Sequence, residues 1–339
     1  MTCQLLVPGR GLRASVMVAA AMLLPLAIRA QAPAAKTSGA PAAKAWTQPR
    51  TPDGQPDIQG TWVNPTITPF ERPAALAGKA TLSEQEVTEL EKRAQENKVD
   101  RPPRPGDVGS YEQIWTDSGS KVVSSRQASL VVDPPDGRVP LTPWAEAKHA
   151  YALAHDSDSW EYLTTWDRCI TRGIPGGMFP AGYNNAYQIV QTPGYVTILF
   201  EMIHETRIIP IDGRPHLPAT VRLWTGDPRG HWEGNTLVVE TTNYNDKGNI
   251  ATSGATGRIR GVAQSEALHV VERFTRADAN TINYEVTIDD PKVYTRSWKV
   301  AIPLSRDDKY VLYEYACHES NLAMTNILSG GRTKDKATR

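Results

Sequence analysis

From residue 186 onward the chain alternates apolar and polar side chains with a period of two, in eight short runs: 186–192, 195–203, 206–211, 236–242, 266–275, 281–288, 296–302 and 309–316. That period sends successive side chains to opposite faces of a strand. Turn chemistry separates the runs, as at Thr192-Pro193-Gly194, Asp212-Gly213, Glu233-Gly234-Asn235, Asp278-Ala279-Asn280, Asp289-Asp290-Pro291 and Arg306-Asp307-Asp308. Strands in series with short polar turns pair as an antiparallel meander. A meander this long hides its edges by curling or closing. The expected fold class is all-β: an antiparallel barrel with N-terminal helices and long loops.

The part before the meander, residues 51–185, reads as an elaboration of the same domain. Ser83 with Glu86 forms a capping box and predicts a helix to about Gln95. Residues 98–110 are rich in Pro and Gly and read as loop. Ala128 to Asp133 reads as a strand ending in a Pro-Pro-Asp-Gly turn, and Trp144 to His155 as a second helix. The domain is expected to span 51–330, with an unstructured tail at 331–339.

The N-terminus points to export. Arg10 and Arg13 precede an apolar run from Val16 to Ile28, and Ala30-Gln31-Ala32 follows as a small-residue cleavage site. This is the pattern of a secretory signal over residues 1–32, too short in its apolar part to span a bilayer comfortably. Residues 33–50, rich in Ala, Pro, Lys and Ser, read as a flexible linker. Losing 1–32 removes three arginines and no acid, so 37 basic against 37 acidic residues becomes 34 against 37. A slightly negative chain without a basic stripe argues against nucleic acid as a partner. The expected location is periplasmic or secreted, with no membrane-spanning segment after cleavage.

Two cysteines, Cys169 and Cys317, remain after the leader. In an oxidising compartment they are expected to form one disulfide, a metal or redox pair being the other reading.

Several blocks carry a resemblance. Pro56-Asp57-Ile58-Gln59-Gly60-Thr61-Trp62 contains the G-x-W that opens lipocalin-like (calycin) barrels, and it falls before a meander. Ser129–Arg138 (SLVVDPPDGR), Asp212–His216 (DGRPH), Gly230–Val239 (GHWEGNTLVV), Glu266–Phe274 (EALHVVERF) and Asp289–Thr295 (DDPKVYT) resemble an uncharacterised family of secreted bacterial proteins. The likeness covers most of 52–325 and departs from the family's Asp at Asn235. It implies a lipocalin-like barrel and transfers no reaction.

Candidate site residues follow from the strand faces. His204 continues the apolar face of Val196, Ile198, Phe200 and Met202, either as a satisfied core histidine or as a proton-transfer group. A turn near 203–206 would invert that face. In the run around His269, one face carries His269, Val271 and Arg273, and the other Leu268, Val270, Glu272 and Phe274. The first face reads as a polar cavity wall or as a solvated outer surface. The leading expectation is an extracytoplasmic, cofactor-free lyase, isomerase or hydrolase. It would hold a small hydrophobic, aromatic or glycosidic molecule in the barrel, with His204 and His269 moving protons and Arg207 or Arg273 holding an anionic group. Glu201, Phe200, Trp166, Phe179, Tyr183 and Trp224 are the expected ligand contacts. No metal is expected, because tight ligand spacings are missing; the alternative set is His204, His216 and His269. The rival class is a non-catalytic ligand-binding or scavenging protein.

Overall fold

The computed structural model describes residues 46–100, 115–319 and 321–337. The expected leader and most of the linker lie outside them.

Ten strands form one antiparallel sheet that curls into a nearly closed barrel. In chain order they are β1 (Gly60–Val63), β2 (Val131–Asp133), β3 (Ala186–Thr192), β4 (Tyr195–Phe200), β5 (Thr206–Pro210), β6 (Asp227–Glu233), β7 (Thr236–Thr242), β8 (His269–Arg276), β9 (Thr281–Asp289) and β10 (Trp298–Arg306). The order around the wall is β5-β4-β3-β1-β10-β9-β8-β7-β6, with β2 pairing onto β10. Helix α1 is Glu84–Asn97, α2 is Pro143–Ala154 and α3 is Ala323–Ala337. Ser83 and Glu86 make the expected capping box on α1, and the Thr142 hydroxyl caps α2.

The alternation seen in the sequence is the alternation of the wall. Val270, Glu272, Phe274 and Arg276 of β8 point inward, as do Ile282, Tyr284, Val286 and Ile288 of β9. Trp298, Val300, Ile302 and Leu304 complete that side. Trp62 from the G-x-W segment sits opposite Tyr187 and Arg306 in the flanking ladders. It is fully buried, donates its indole N–H to the Ile58 carbonyl at 3.0 Å, and is covered by the guanidinium groups of Arg276 and Arg306. The seam lies between β5 and β6, which share no ladder. There Gly230 lets the strands close: a Cβ on it would stand 2.8 Å from a methyl carbon of Ile211 and 3.0 Å from one of Ile209.

Four expectations are corrected. Residues 227–233 form β6, although Pro228 and Gly230 break the strand pattern there. Residues 309–316 are not a strand, because β1 occupies the edge of β10 that such a strand would have taken. The run at 195–203 stops at Phe200, and Ile203 turns the chain with φ 63°. The tail expected to lack structure from 331 is helical to Ala337.

Candidate functional site

One end of the barrel gathers many of the expected residues. After β4 the chain passes through a single helical turn, Met202–His204, in which Ile203 (φ 63°) and His204 (φ 43°) are both left-handed. Such a conformation is unfavourable for a β-branched residue and persists only where its surroundings enforce it. His204 therefore does not continue the inner face of β4. It is exposed, and its Nδ1 lies 2.8 Å from the Tyr315 carbonyl oxygen. Donation from Nδ1 leaves Nε2 as the basic nitrogen. Cys169 and Cys317 form the expected disulfide and bring the C-terminal segment over this end. Glu201 is buried and accepts hydrogen bonds from the Tyr310 hydroxyl (2.9 and 2.8 Å) and the Tyr313 amide (3.2 Å). Tyr183 packs between Trp166 and Tyr315, with ring centroids 6.0 and 6.2 Å away. Phe179 and Phe200 belong to the core, against Phe70 and Tyr187.

Ionisable groups at this end are perturbed together. Burial raises the carboxyl of Asp117 above its ordinary value, with the nearby Glu201 adding to the effect. Burial also raises Glu205, whose carboxylate accepts from the Thr171 hydroxyl. It pushes the Tyr187 phenol up to about 12 and lowers the Arg172 guanidinium, which lies over Trp166. Burial and the Glu201 hydrogen bond raise Tyr310. Clustered perturbation of this kind is a feature of functional sites and also of structural networks.

His269 is elsewhere. It opens β8 on the outer face, 39% exposed, with Nε2 2.7 Å from Glu240 Oε1. Arg273 shares that face and pairs with Glu233 at 2.8 Å. Whichever way the wall is followed, at least three strands separate β8 from β4. The two histidines share no partner, and the expected His204–His269 pair around one barrel cavity is not formed. The outer-face reading of His269 and Arg273 is the correct one. The alternative metal set divides likewise. His216 does approach Glu240 (4.0 Å) and takes Asp227 at 3.1 Å, but His204 is not among them. Among the described residues no group of three His, Cys, Asp or Glu side chains is arranged to hold a metal ion.

Arg207 points into the barrel rather than toward His204. Its Nη2 lies 2.6 Å from Glu272 Oε2 and 2.9 Å from Thr241 Oγ1, and Tyr284 donates to the other Glu272 oxygen at 3.0 Å.

A cavity of about 720 Å³ lies outside the barrel, a place the strand faces could not indicate. Its walls are α2, the segment 160–168, Trp224, and the turns at 246–249 and 261–263. Five aromatic side chains line it: Trp144, Tyr151, Trp160, Tyr162 and Trp224. Trp144, Lys148 and Tyr151 stand at i, i+4 and i+7 on α2 and so share one stripe. The adjacent stripe carries the buried Ala145 and His149, which also border the cavity; the His149 Nε2 lies 2.6 Å from the Arg260 carbonyl oxygen. Trp144 is 53% exposed and Trp160 50%, each with a cation over its ring: Lys148 at 5.1 Å and Arg168 at 4.7 Å. Of the expected ligand contacts only Trp224 lies here. The segment 160–172 serves both places, giving Trp160 and Arg168 to the cleft and Trp166 and Cys169 to the disulfide-bound end.

Comparisons with protein-family models, curated proteins and solved structures find no match to this chain.

Proposed function

We propose that this protein works outside the cytoplasm and binds a small ring-bearing molecule, aromatic or glycosidic, in the tryptophan cleft. The observation that carries this reading is the convergence of Trp144, Trp160 and Trp224 on one cavity, two of them half exposed. Large rings left to water around a concavity are placed to stack against a ligand ring. The signal pattern supports export. The blocks quoted above support membership in the secreted bacterial family, and the buried G-x-W tryptophan of β1 supports its lipocalin-like character. Trp160→Ala and Trp144→Ala are each expected to weaken binding of a ring ligand about 3- to 10-fold, the worth of one aromatic stacking contact. Calorimetric titration against saccharides and simple aromatics checks this. Affinities untouched by both substitutions would remove the cleft from the proposal.

A second reading, an acid–base lyase, isomerase or hydrolase, is favoured by the strained Ile203–His204 turn. A histidine whose tautomer is set by a backbone carbonyl and whose free nitrogen faces solvent suits general-base work. His269, Arg207 and Arg273 are not part of this reading. His204→Asn, whose amide N–H can take the place of Nδ1, is expected to lower turnover at least about 100-fold while leaving the melting temperature unchanged. Unchanged turnover would leave His204 a structural tie to the C-terminal segment.

A further inference from the structure

We infer that the ring-bearing ligand of the tryptophan cleft carries a carboxylate, and that Arg168 receives it. The inference rests on the cleft reading above.

Arg168 lines the cavity with its guanidinium 4.7 Å from the centroid of the Trp160 ring. Stacking uses the flat face of a guanidinium and leaves its edge, which carries all five N–H donors. Among the described residues that edge has no hydrogen-bond or ion-pair partner, and Glu161 acts on Arg168 only at longer range. Partial burial withdraws water from the cation and lowers its pKa, so an incoming anion meets a partly desolvated charge. A carboxylate fits the open edge with two parallel N–H···O bonds.

The rest of the lining agrees in sign. Lys148 repeats the arrangement over Trp144, and Lys247 is a third cation against the two carboxylates Glu161 and Asp246. His149, the remaining titratable base of the wall, directs Nε2 to the Arg260 carbonyl instead. A net positive aromatic cleft suits a ring with a carboxylate directly attached. Uronic acids and aromatic acids share that chemistry.

Two matched pairs of probes separate the sources: glucuronate against methyl glucoside, and 4-hydroxybenzoate against 4-hydroxybenzyl alcohol. Each is titrated into the purified protein at low salt, with tryptophan fluorescence and calorimetry as readouts. In at least one pair the acid is expected to bind at least about 10-fold more tightly, as a charge-assisted hydrogen bond provides, and that pair identifies the source. Arg168→Gln is expected to bring the affinities of acid and neutral probe within about 2-fold of each other. Arg168→Lys keeps the charge without the fork and should retain only part of the preference. Equal binding of acid and neutral probe by the unaltered protein, or a preference that survives Arg168→Gln, would overturn the carboxylate assignment and leave the cleft standing. A tryptophan signal that responds to none of the four probes would overturn the cleft reading itself.

Discussion

Glu272→Gln is expected to destabilise the barrel by about 3–5 kcal/mol, the cost of leaving a buried charge without its counter-ion. Glu272 is fully buried on β8, and Arg207, on β5, is 6% exposed. Two guanidinium nitrogens, Nε and Nη1, have no hydrogen-bond partner among the described residues, so the cation depends on Glu272 and Thr241. The position of the pair matters as much as its burial. β5 and β6 form the seam without a ladder, and Arg207 reaches past β6 to β7 and β8 from inside. The ion pair does across the seam what hydrogen bonds do elsewhere in the wall. Arg207→Met should cost as much as Glu272→Gln. The double variant should recover most of the loss, because Gln still accepts from Tyr284 and neither charge remains. Urea unfolding of the four proteins at neutral pH measures the coupling. Amide exchange should quicken first in β5 and β6 of the single variants. Single losses below about 1 kcal/mol would mean that the charges are not desolvated and that apolar packing alone holds the seam.

The same pair explains why one site face was misread. Both faces of β8 mix a charge with apolar residues, and local pattern offers no way to choose between them. The choice is made by Arg207, 65 residues earlier, which compensates Glu272 and lets that face turn inward. His269 and Arg273 then fall outside by alternation alone. By contrast, β7, β9 and most of β10 were legible, because one side of each packs inward while the other keeps solvent-tolerant residues such as Glu240, Thr287 and Lys299. β6 was not: Pro228 and Gly230 serve an edge strand at a seam and erase the alternation. The apolar-face argument for His204 fails, since the Ile203 turn takes it off that face. In the cleft, α2 was legible as a helix, but not the cavity that its Trp144–Lys148–Tyr151 stripe borders. The facing turns at 246–249 and 261–263 have no periodicity, and only the fold brings them opposite the helix.

Removing the disulfide with Cys169→Ser and Cys317→Ser should lower stability by about 3–5 kcal/mol. The bridged cysteines are 148 residues apart, and closing a loop of that length restrains the unfolded chain by about 5 kcal/mol in the chain-entropy model. The local consequence is larger in proportion. The segment after β10 has little apolar anchorage: Val311 and Tyr313 are exposed, and α3 buries no residue. Beyond the packing of Tyr315 against Tyr183 and the Ala181, Met202 and Ile203 cluster, its ties include polar ones: Tyr310 and the Tyr313 amide to Glu201, the Tyr315 carbonyl to His204, and Asn321 to the Cys169 sulfur at 3.0 Å. Each such tie contributes about 1 kcal/mol net in water. Without the covalent link, residues 310–318 should therefore open more readily than the barrel. Amide exchange there should rise before the urea midpoint of β-sheet unfolding is approached. An unchanged midpoint with unchanged exchange at 310–318 would show that the polar ties alone suffice. Quickened exchange beside an unfolding free energy lowered by less than about 1 kcal/mol would show that the segment already undocks before the barrel unfolds. In that case the bridge chiefly holds the Tyr315 carbonyl against His204, and its loss should be felt first in the tautomer and strain of that turn.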